Sequence, residues 1–191
     1  MINIHKEILE AKANNRAYFH PNFFSDVPTW DDFLNCIFQE VQIENPELAK
    51  NMLYGKDVDE RLVGNVIITE NVYFSPQITD ASKYFKTINQ ILNHFHDEYR
   101  IKLGVSGPKV SVGPRHVAAH SDKWDAFSLQ CQGTTVWTIA HKETGYKEEF
   151  NMKPGDFLFF PQQTTHELYC NEPRAGIIFN CPDVTVDLNF Q

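Results

Sequence analysis

Two good metal ligands stand two residues apart in the stretch His120-Ser121-Asp122, directly ahead of an alternating apolar run. On an extended strand, residues i and i+2 face the same side, so the His120 imidazole and the Asp122 carboxylate would point into one space. A histidine nitrogen and a carboxylate oxygen are two of the three ligands of the facial triad that holds non-haem Fe(II). The third should come from a strand distant in sequence, and His166 is the candidate.

The residues ahead of His166 strengthen this interpretation. In the stretch MKPGDFLFFPQQTTH, the turn residues Pro154-Gly155-Asp156 are followed by a short apolar strand and then by a loop that leads to the histidine. An HxD pair alone is common in proteins that bind no metal. HxD followed by PGDxLxxP and a histidine is much more specific, so we predict a metal site rather than ordinary surface and core residues.

Composition limits the class of protein. The chain has 191 residues, 42% of them hydrophobic, and its formal net charge is −8. These values predict one packed domain over residues 1–191 and argue against nucleic-acid binding, which requires a basic face. The chain shows neither a signal peptide nor an apolar stretch long enough to span a membrane. The four cysteines have no CxxC pairing, which predicts reduced thiols in a cytoplasmic protein, a compartment that suits ferrous iron.

The first hundred residues predict a mixed, largely helical support region. In PTWDDFLNCIFQEV, Thr29 and Asp32 stand in capping-box positions, and the apolar residues that follow recur at helical spacing as far as Val41. A second helix is predicted from about Asp80 to Tyr99. Between them, NVIITENVYF is rich in β-branched and aromatic residues and predicts strand.

Residues 101–191 predict the barrel core. Short apolar or alternating runs are separated by Gly, Pro, Asn and Asp, a texture typical of all-β structure. VTVDLNF could add one more edge strand at the C-terminus. The fold class is therefore mainly β with α, a double-stranded β-helix (cupin or jelly-roll) barrel braced by N-terminal helices. The predicted strands are Lys109–Val112, Val117–Asp122, Ala126–Gln132, Thr135–Ala140, Lys147–Asn151, Phe157–Phe160, His166–Cys170 and Gly176–Asn180.

The stretches HSDKWDAFSLQCQGTTVWTI and MKPGDFLFFPQQTTHEL resemble the JmjC-type cupin oxygenases, especially the branch that hydroxylates ribosomal proteins. The similarity covers about Lys109 to Asn180, and the PTWDDFL helix is also similar to what precedes such barrels. The resemblance implies a double-stranded β-helix that binds Fe(II) and 2-oxoglutarate. It also implies an enzyme that uses dioxygen to hydroxylate side chains, or to demethylate lysines, on proteins.

Carried over by position, the resemblance makes His120, Asp122 and His166 the iron ligands. Asp125 matches the acidic residue of the DxF that follows the ligand pair in that branch. Asn180 stands where several relatives place a polar residue near the metal. His116 has the same strand parity as His120 and could line the mouth of the pocket, although a rim position after the preceding turn is the simpler interpretation.

The cosubstrate residues depart from the family. The family usually grips the distal carboxylate of 2-oxoglutarate with a Lys or Arg where this chain has Thr135, which offers a hydroxyl but no charge. Arg174, eight residues past His166, could supply the charge, as the arginine after the distal histidine does in prolyl hydroxylases. An exposed turn arginine is an equally good interpretation of Arg174. Lys109 and Arg115 are poorer candidates.

Three functions remain open from the sequence. The leading hypothesis is an Fe(II)- and 2-oxoglutarate-dependent oxygenase that hydroxylates a protein or peptide side chain and releases succinate and carbon dioxide. The residues themselves leave a free small molecule open as the substrate. The alternatives are a metal-binding cupin enzyme without 2-oxoglutarate chemistry, in line with Thr135, and a catalytically silent JmjC-like protein-binding module. No nucleic-acid or membrane partner is expected, and a monomer or small homo-oligomer is favoured.

Overall fold

The computed structural model describes residues 4–36, 62–63, 66–67, 73–74, 86–99, 103–111, 114–141 and 144–181. Its helices are α1 (Ile4–Ala13), α2, which begins at residue 30 and is described to residue 36, and α3 (Lys86–Tyr99). Four short strands precede α3, namely β1 (Tyr18–His20), β2 (Leu62–Val63), β3 (Val66–Ile67) and β4 (Tyr73–Phe74). The strands that follow α3 are β5 (Gly104–Ser111), β6 (Arg115–Ser121), β7 (Asp125–Gln132), β8 (Thr135–Ala140), β9 (Lys147–Met152), β10 (Phe157–Phe160), β11 (Thr165–Cys170) and β12 (Arg174–Cys181).

The last eight strands are divided between two antiparallel sheets. The larger sheet has the order β1-β10-β7-β12-β5-β4, and the smaller has the order β6-β11-β8-β9. From β5 to β12, every step along the chain crosses from one sheet to the other, except the β8–β9 hairpin. This alternation is the topology of a double-stranded β-helix, and the predicted fold class is confirmed.

The larger sheet is buried on both faces, because helices cover one side and the barrel interior fills the other. On β10, Phe157 and Phe159 belong to the cluster that includes the helices, whereas Leu158 and Phe160 belong to the barrel interior. The helices thus pack against the sheet as predicted. The residues that they contribute to their cluster are Ile8, Ala11, Phe33, Cys36, Ile88, Ile91 and Phe95. Among the described residues, no helix combines the length and the apolar composition needed to cross a membrane.

The predicted element boundaries are largely confirmed. β8 and β10 match to the residue, and five other strands match within two residues at each end. β5 differs most from its predicted bounds. It begins at Gly104 rather than Lys109, because its pairing with β12 extends as far as Gly104. The patterns did not predict α1 or the three-residue β1.

The capping box that opens α2 forms as predicted. The Thr29 amide donates to Asp32 Oδ2 at 2.8 Å, and the Asp32 amide donates to Thr29 Oγ1 at 3.3 Å. The continuation of this helix to Val41, the predicted helix start before residue 86 and the predicted C-terminal edge strand all lie outside the described residues.

Two glycines in left-handed turns provide a matched test of this architecture. Gly133 (φ 66°) follows β7, and a Cβ there would lie 2.1 Å from the Pro173 carbonyl oxygen, on the turn that leads into β12. Gly145 (φ 67°) has nearly the same backbone conformation, and a Cβ there would have no atom within 4 Å. Of these two glycines, only Gly133 therefore combines the left-handed conformation with a close backbone approach.

We expect Gly145→Ala to lower the free energy of unfolding by about 1 kcal/mol, the cost of the left-handed conformation alone. Gly133→Ala should lower it by about 3 kcal/mol, because the backbone of the β11–β12 turn must also move. Urea denaturation of both variants and the wild type measures the difference. Equal losses for the two variants would show that the turns do not pack as described.

Candidate metal centre

The three predicted ligands converge in space. One ligand atom from each of His120, Asp122 and His166 lies within 4.8 Å of the other two. His166 Nε2 is 3.7 Å from Asp122 Oδ2, and the two imidazole centroids are 4.3 Å apart. Ligands about 2.1 Å from a common ion lie roughly 3 to 3.5 Å from one another, so small side-chain movements would bring this set into coordination range. We call these three residues the metal triad.

Pairing between β6 and β11 places the two histidines side by side. His166 on β11 is registered opposite His120 on β6, while Leu168 is registered opposite Val117. One residue of β11, Glu167, thus lies opposite two residues of β6, Ala118 and Ala119, which is a β-bulge. The bulge reverses the alternation of β6, so Val117 and His120 both face the cavity inside the barrel.

The bulge also corrects the parity assigned to His116. That residue does not share the inward face with His120, because the extra residue lies between them. Its imidazole is mostly exposed and lies 3.5 Å from Glu167 Oε2, on the outer side of the smaller sheet. The rim interpretation was therefore nearer to the observed position than the pocket-mouth interpretation.

Backbone hydrogen bonds fix the tautomer of both histidines. His120 Nδ1 lies 2.8 Å from the Ala118 carbonyl oxygen, and His166 Nδ1 lies 2.9 Å from the Thr164 carbonyl oxygen. A carbonyl oxygen only accepts, so each Nδ1 must carry the proton and donate it. In the neutral rings, each Nε2 then keeps its lone pair for a metal ion, as in most metal sites with a backbone partner on the second nitrogen.

The metal triad is sealed on one side and open on the other. The His166 side chain is 3% exposed and lies against the rings of Phe160 and Trp137, with centroid separations of 4.5 and 5.9 Å. The Asp122 side chain is 44% exposed, and His120 is also exposed. Burial lowers the pKa of His166, and the nearby His120 lowers it further. The Thr164 carbonyl and Asp122 act in the opposite direction, but the pKa remains below the usual value for histidine. Burial therefore favours the neutral, ligating form of His166.

A cavity of about 260 Å³ extends inward from the metal triad. Its walls combine apolar and aromatic side chains with two cationic ones and one amide. Both cationic side chains come from the larger sheet, and the metal triad lies at one end of the cavity. Besides the triad, the lining residues are Lys109, Val117, Trp137, Phe160, Leu168, Arg174, Ile178 and Asn180.

Lys109 and Arg174 lie close together on neighbouring strands. Lys109 on β5 is registered opposite Gly176 on β12, two residues beyond Arg174. Arg174 Nη1 lies 3.9 Å from where a Cβ of Gly176 would be, so the guanidinium extends along the strand past the glycine. Burial lowers the pKa of Lys109, the charge of Arg174 lowers it further, and Asp122 opposes both. The cavity therefore contains two mutually repelling cations.

Of the three predicted cosubstrate residues, Arg174 and Asn180 line the cavity and Thr135 does not. Arg174 is 3% exposed and lines the cavity, so it is not an exposed turn arginine. Asn180 lines the same cavity, and its buried Oδ1 accepts no hydrogen bond from the described residues. Thr135 is not among the cavity-lining residues; its hydroxyl donates to Gln130 Oε1 at 3.0 Å inside the barrel.

Lys109 is the lining residue that the sequence patterns ranked too low. A lysine in a short stretch that contains Gly107 and Pro108 gives little indication of a buried strand position. A signal existed in its alternation with Val110, an apolar residue that packs on the helix side of the sheet. Lys109 must then face the other side, the barrel interior.

No protein-family model and no curated protein matches this sequence. Solved structures do match. The structure of YcfD, a ribosomal oxygenase from Escherichia coli, aligns with a TM-score of 0.62 at 16% identity, over 98% of this chain and 53% of that chain. This chain has the fold of YcfD. The resemblance to the JmjC-type cupin oxygenases is thus confirmed at the level of the fold.

Two complexes of YcfD align in the same way. The complex with cobalt and succinic acid has a TM-score of 0.61 at 16% identity, over 95% of this chain and 51% of that chain. The complex with cobalt and 2-oxoglutarate has a TM-score of 0.59 at 16% identity, over 96% and 53%. The chain therefore spans about half the length of the YcfD chains that it matches.

We expect the metal triad to bind one divalent ion, and His166→Ala to weaken that binding by about 100-fold or more, because it removes the most buried ligand. Anaerobic titration with Co(II), followed by visible absorption, measures the affinity. His116→Ala is the matched control, since it removes a histidine from the same pair of strands on the outer face, and it should keep the wild-type affinity. Equal weakening in both variants would exclude a specific role for the triad.

Proposed function

We propose that this protein is an Fe(II)- and 2-oxoglutarate-dependent oxygenase that hydroxylates a side chain of a protein or peptide. The observation that carries the proposal is the position of the metal triad at the mouth of a cavity that also contains Lys109 and Arg174. The shared fold with YcfD, a ribosomal oxygenase with known cobalt complexes of 2-oxoglutarate and succinic acid, supports it.

His120, Asp122 and His166 would hold the metal through two imidazole nitrogens and one carboxylate oxygen, a donor set typical of non-haem Fe(II). With 2-oxoglutarate and dioxygen, Fe(II) supplies an oxidative decarboxylation that yields succinate and carbon dioxide and places one oxygen atom in a substrate C–H bond. The chain contributes the ligand geometry. The Nδ1 bonds to the backbone keep both rings oriented without help from other side chains.

Lys109 and Arg174 would bind the distal carboxylate of 2-oxoglutarate. A buried carboxylate needs a cationic partner, because an uncompensated charge in a dry site is costly. Arg174 offers a planar fork that can donate two parallel hydrogen bonds to one carboxylate. The Lys109 ammonium adds a second charge from the neighbouring strand. Apolar walls formed by Phe160, Leu168 and Ile178 would exclude water around the bound chain of the ligand.

The substrate would approach from the open side of the metal triad, where Asp122 is 44% exposed. An amino-acid side chain carried on a protein or peptide can reach this edge without entering the cavity. The net charge of −8 favours a basic partner over an acidic one. We propose that the protein acts in the cytoplasm as a monomer or small homo-oligomer. We propose no nucleic-acid or membrane partner. Among the described residues, the thiols of Cys36, Cys131, Cys170 and Cys181 are buried and form no disulfide, which suits a reducing compartment.

The cosubstrate proposal predicts a specific dependence on the distal carboxylate. We expect the Co(II)-loaded protein to bind 2-oxoglutarate much more tightly than 2-oxopentanoate, which has the same chain length but lacks that carboxylate. Arg174→Met and Lys109→Met should each weaken 2-oxoglutarate binding by roughly 30-fold or more, because truncating one partner of a buried charge pair costs about 2 kcal/mol or more. Binding of 2-oxopentanoate should change little. Calorimetric titration of each of the three proteins with each of the two ligands measures these affinities.

Thr135→Val is the matched control for these variants, because Thr135 is as buried as Arg174 but does not line the cavity. It should leave 2-oxoglutarate affinity unchanged. If Thr135→Val weakens binding while Arg174→Met and Lys109→Met do not, the carboxylate lies elsewhere and the two cations have another purpose.

Turnover distinguishes the proposal from its two rivals. We expect succinate release when Fe(II), 2-oxoglutarate and dioxygen are supplied, and its loss in His166→Ala. Tight metal binding without succinate release under any substrate would favour a cupin enzyme of another chemistry. Failure of anaerobically prepared protein to take up one equivalent of metal would favour the silent binding module.

A further inference from the structure

We propose that Asp125 is a positioning residue for the metal centre, and that Lys12 of α1 completes its function. In this proposal, Asp125 joins the two chain segments that carry Asp122 and His166, and the N-terminal helix supplies the charge that keeps the joint in place. The inference rests on the proposed metal centre, since it concerns the geometry of those ligands.

Asp125 is a fully buried carboxylate with partners from two distant parts of the chain. Lys12 Nζ lies 2.7 Å from its Oδ1 and 2.6 Å from its Oδ2, across 113 positions in sequence. The Lys12 side chain is only 14% exposed, so water screens the pair weakly. The Gln162 amide also donates to Asp125 Oδ1, at 2.9 Å. One carboxylate therefore contacts α1 and the loop that precedes β11.

A second hydrogen bond joins the same two segments beside the ligands. The Gln163 amide donates to the Asp122 carbonyl oxygen at 2.6 Å. Gln163 adopts the left-handed conformation (φ 62°), which a non-glycine residue keeps only when its surroundings require it. The next residue, Thr164, accepts the Nδ1 hydrogen bond of His166. A continuous set of contacts thus leads from Lys12 through Asp125 to the loop that orients His166.

The charge on Asp125 matters as well as its shape. Asparagine at this position would still accept the Gln162 amide hydrogen bond. It would remove the negative charge from the pair with Lys12, and removing one partner of a buried pair is strongly unfavourable. Neutralising both partners together removes that conflict. The metal centre should therefore respond to Asp125→Asn alone more strongly than to the combination of Lys12→Met and Asp125→Asn.

The experiment measures Co(II) affinity and the visible absorption spectrum of the Co(II)-loaded full-length protein, with the thermal midpoint as a record of folding. We expect Asp125→Asn and Asp125→Ala each to weaken Co(II) binding by about 10- to 100-fold, the range for residues that orient metal ligands. Both should also change the ligand-field bands. The variant that combines Lys12→Met with Asp125→Asn should recover most of the affinity and the wild-type bands.

Lys6→Met is the matched control on the same helix. Lys6 pairs with Glu10 at 3.5 Å, but its side chain is 69% exposed and the pair lies on the surface. This variant should keep the wild-type affinity and spectrum. If Asp125→Ala does not fold, Lys12→Met takes its place, and it should weaken Co(II) binding unless Asp125→Asn is also present.

Two outcomes would overturn the inference, and they differ from failure of the metal centre itself. If the folded Asp125 and Lys12 variants bind Co(II) with the wild-type affinity and spectrum, the pair is only structural. If only the thermal midpoint shifts and is restored by the double variant, the same conclusion follows. A wild-type protein that binds no Co(II) would instead remove the metal centre, and this inference with it.

Discussion

The metal triad depends on one strand pairing, that of β6 with β11. This pairing sets His120 directly opposite His166. The bulge at residues 118–119 lets His120 and Val117, three residues apart, both face the barrel interior. Neither histidine needs another side chain to orient it, because the backbone carbonyls of residues 118 and 164 accept their Nδ1 protons. The site is thus a property of the backbone register, with Asp122 added where β6 ends.

The larger sheet gives this register a rigid support. Its strands carry Phe127, Leu129 and Phe159 toward the helices, and they carry the cavity residues Lys109, Arg174 and Asn180 toward the inside. Packing on both faces leaves little freedom for the strands to slip, because a shift of one residue would exchange apolar and charged side chains. The helices therefore support the cavity as well as the stability of the barrel, and Lys12 extends that support to the edge of the metal triad.

The sequence predicted the fold and the convergence of the three triad residues because both are encoded locally. Alternation and turn residues define the strands, and HxD with PGDxLxxP marks the two ligand segments. Long-range pairing was less accessible. The bulge that reverses the parity of His116 arises from how β6 meets β11, and β5 begins early because β12 pairs with it. Whether Arg174 is exposed or buried is likewise a long-range property, since it depends on the pairing of β12 with β5 and β7.

The bulge in β6 has a consequence for how this chain can change over evolutionary time. Substitutions at Ala118 or Ala119 alter only the size of exposed side chains on that segment, and the spacing between Val117 and His120 survives them. A segment of the same length that paired without the bulge would turn the His120 ring to the outside of the barrel, whereas deletion of one of these alanines would give regular alternation with Val117 and His120 still on the same face. Natural selection must therefore preserve either the bulge or an even spacing between Val117 and His120.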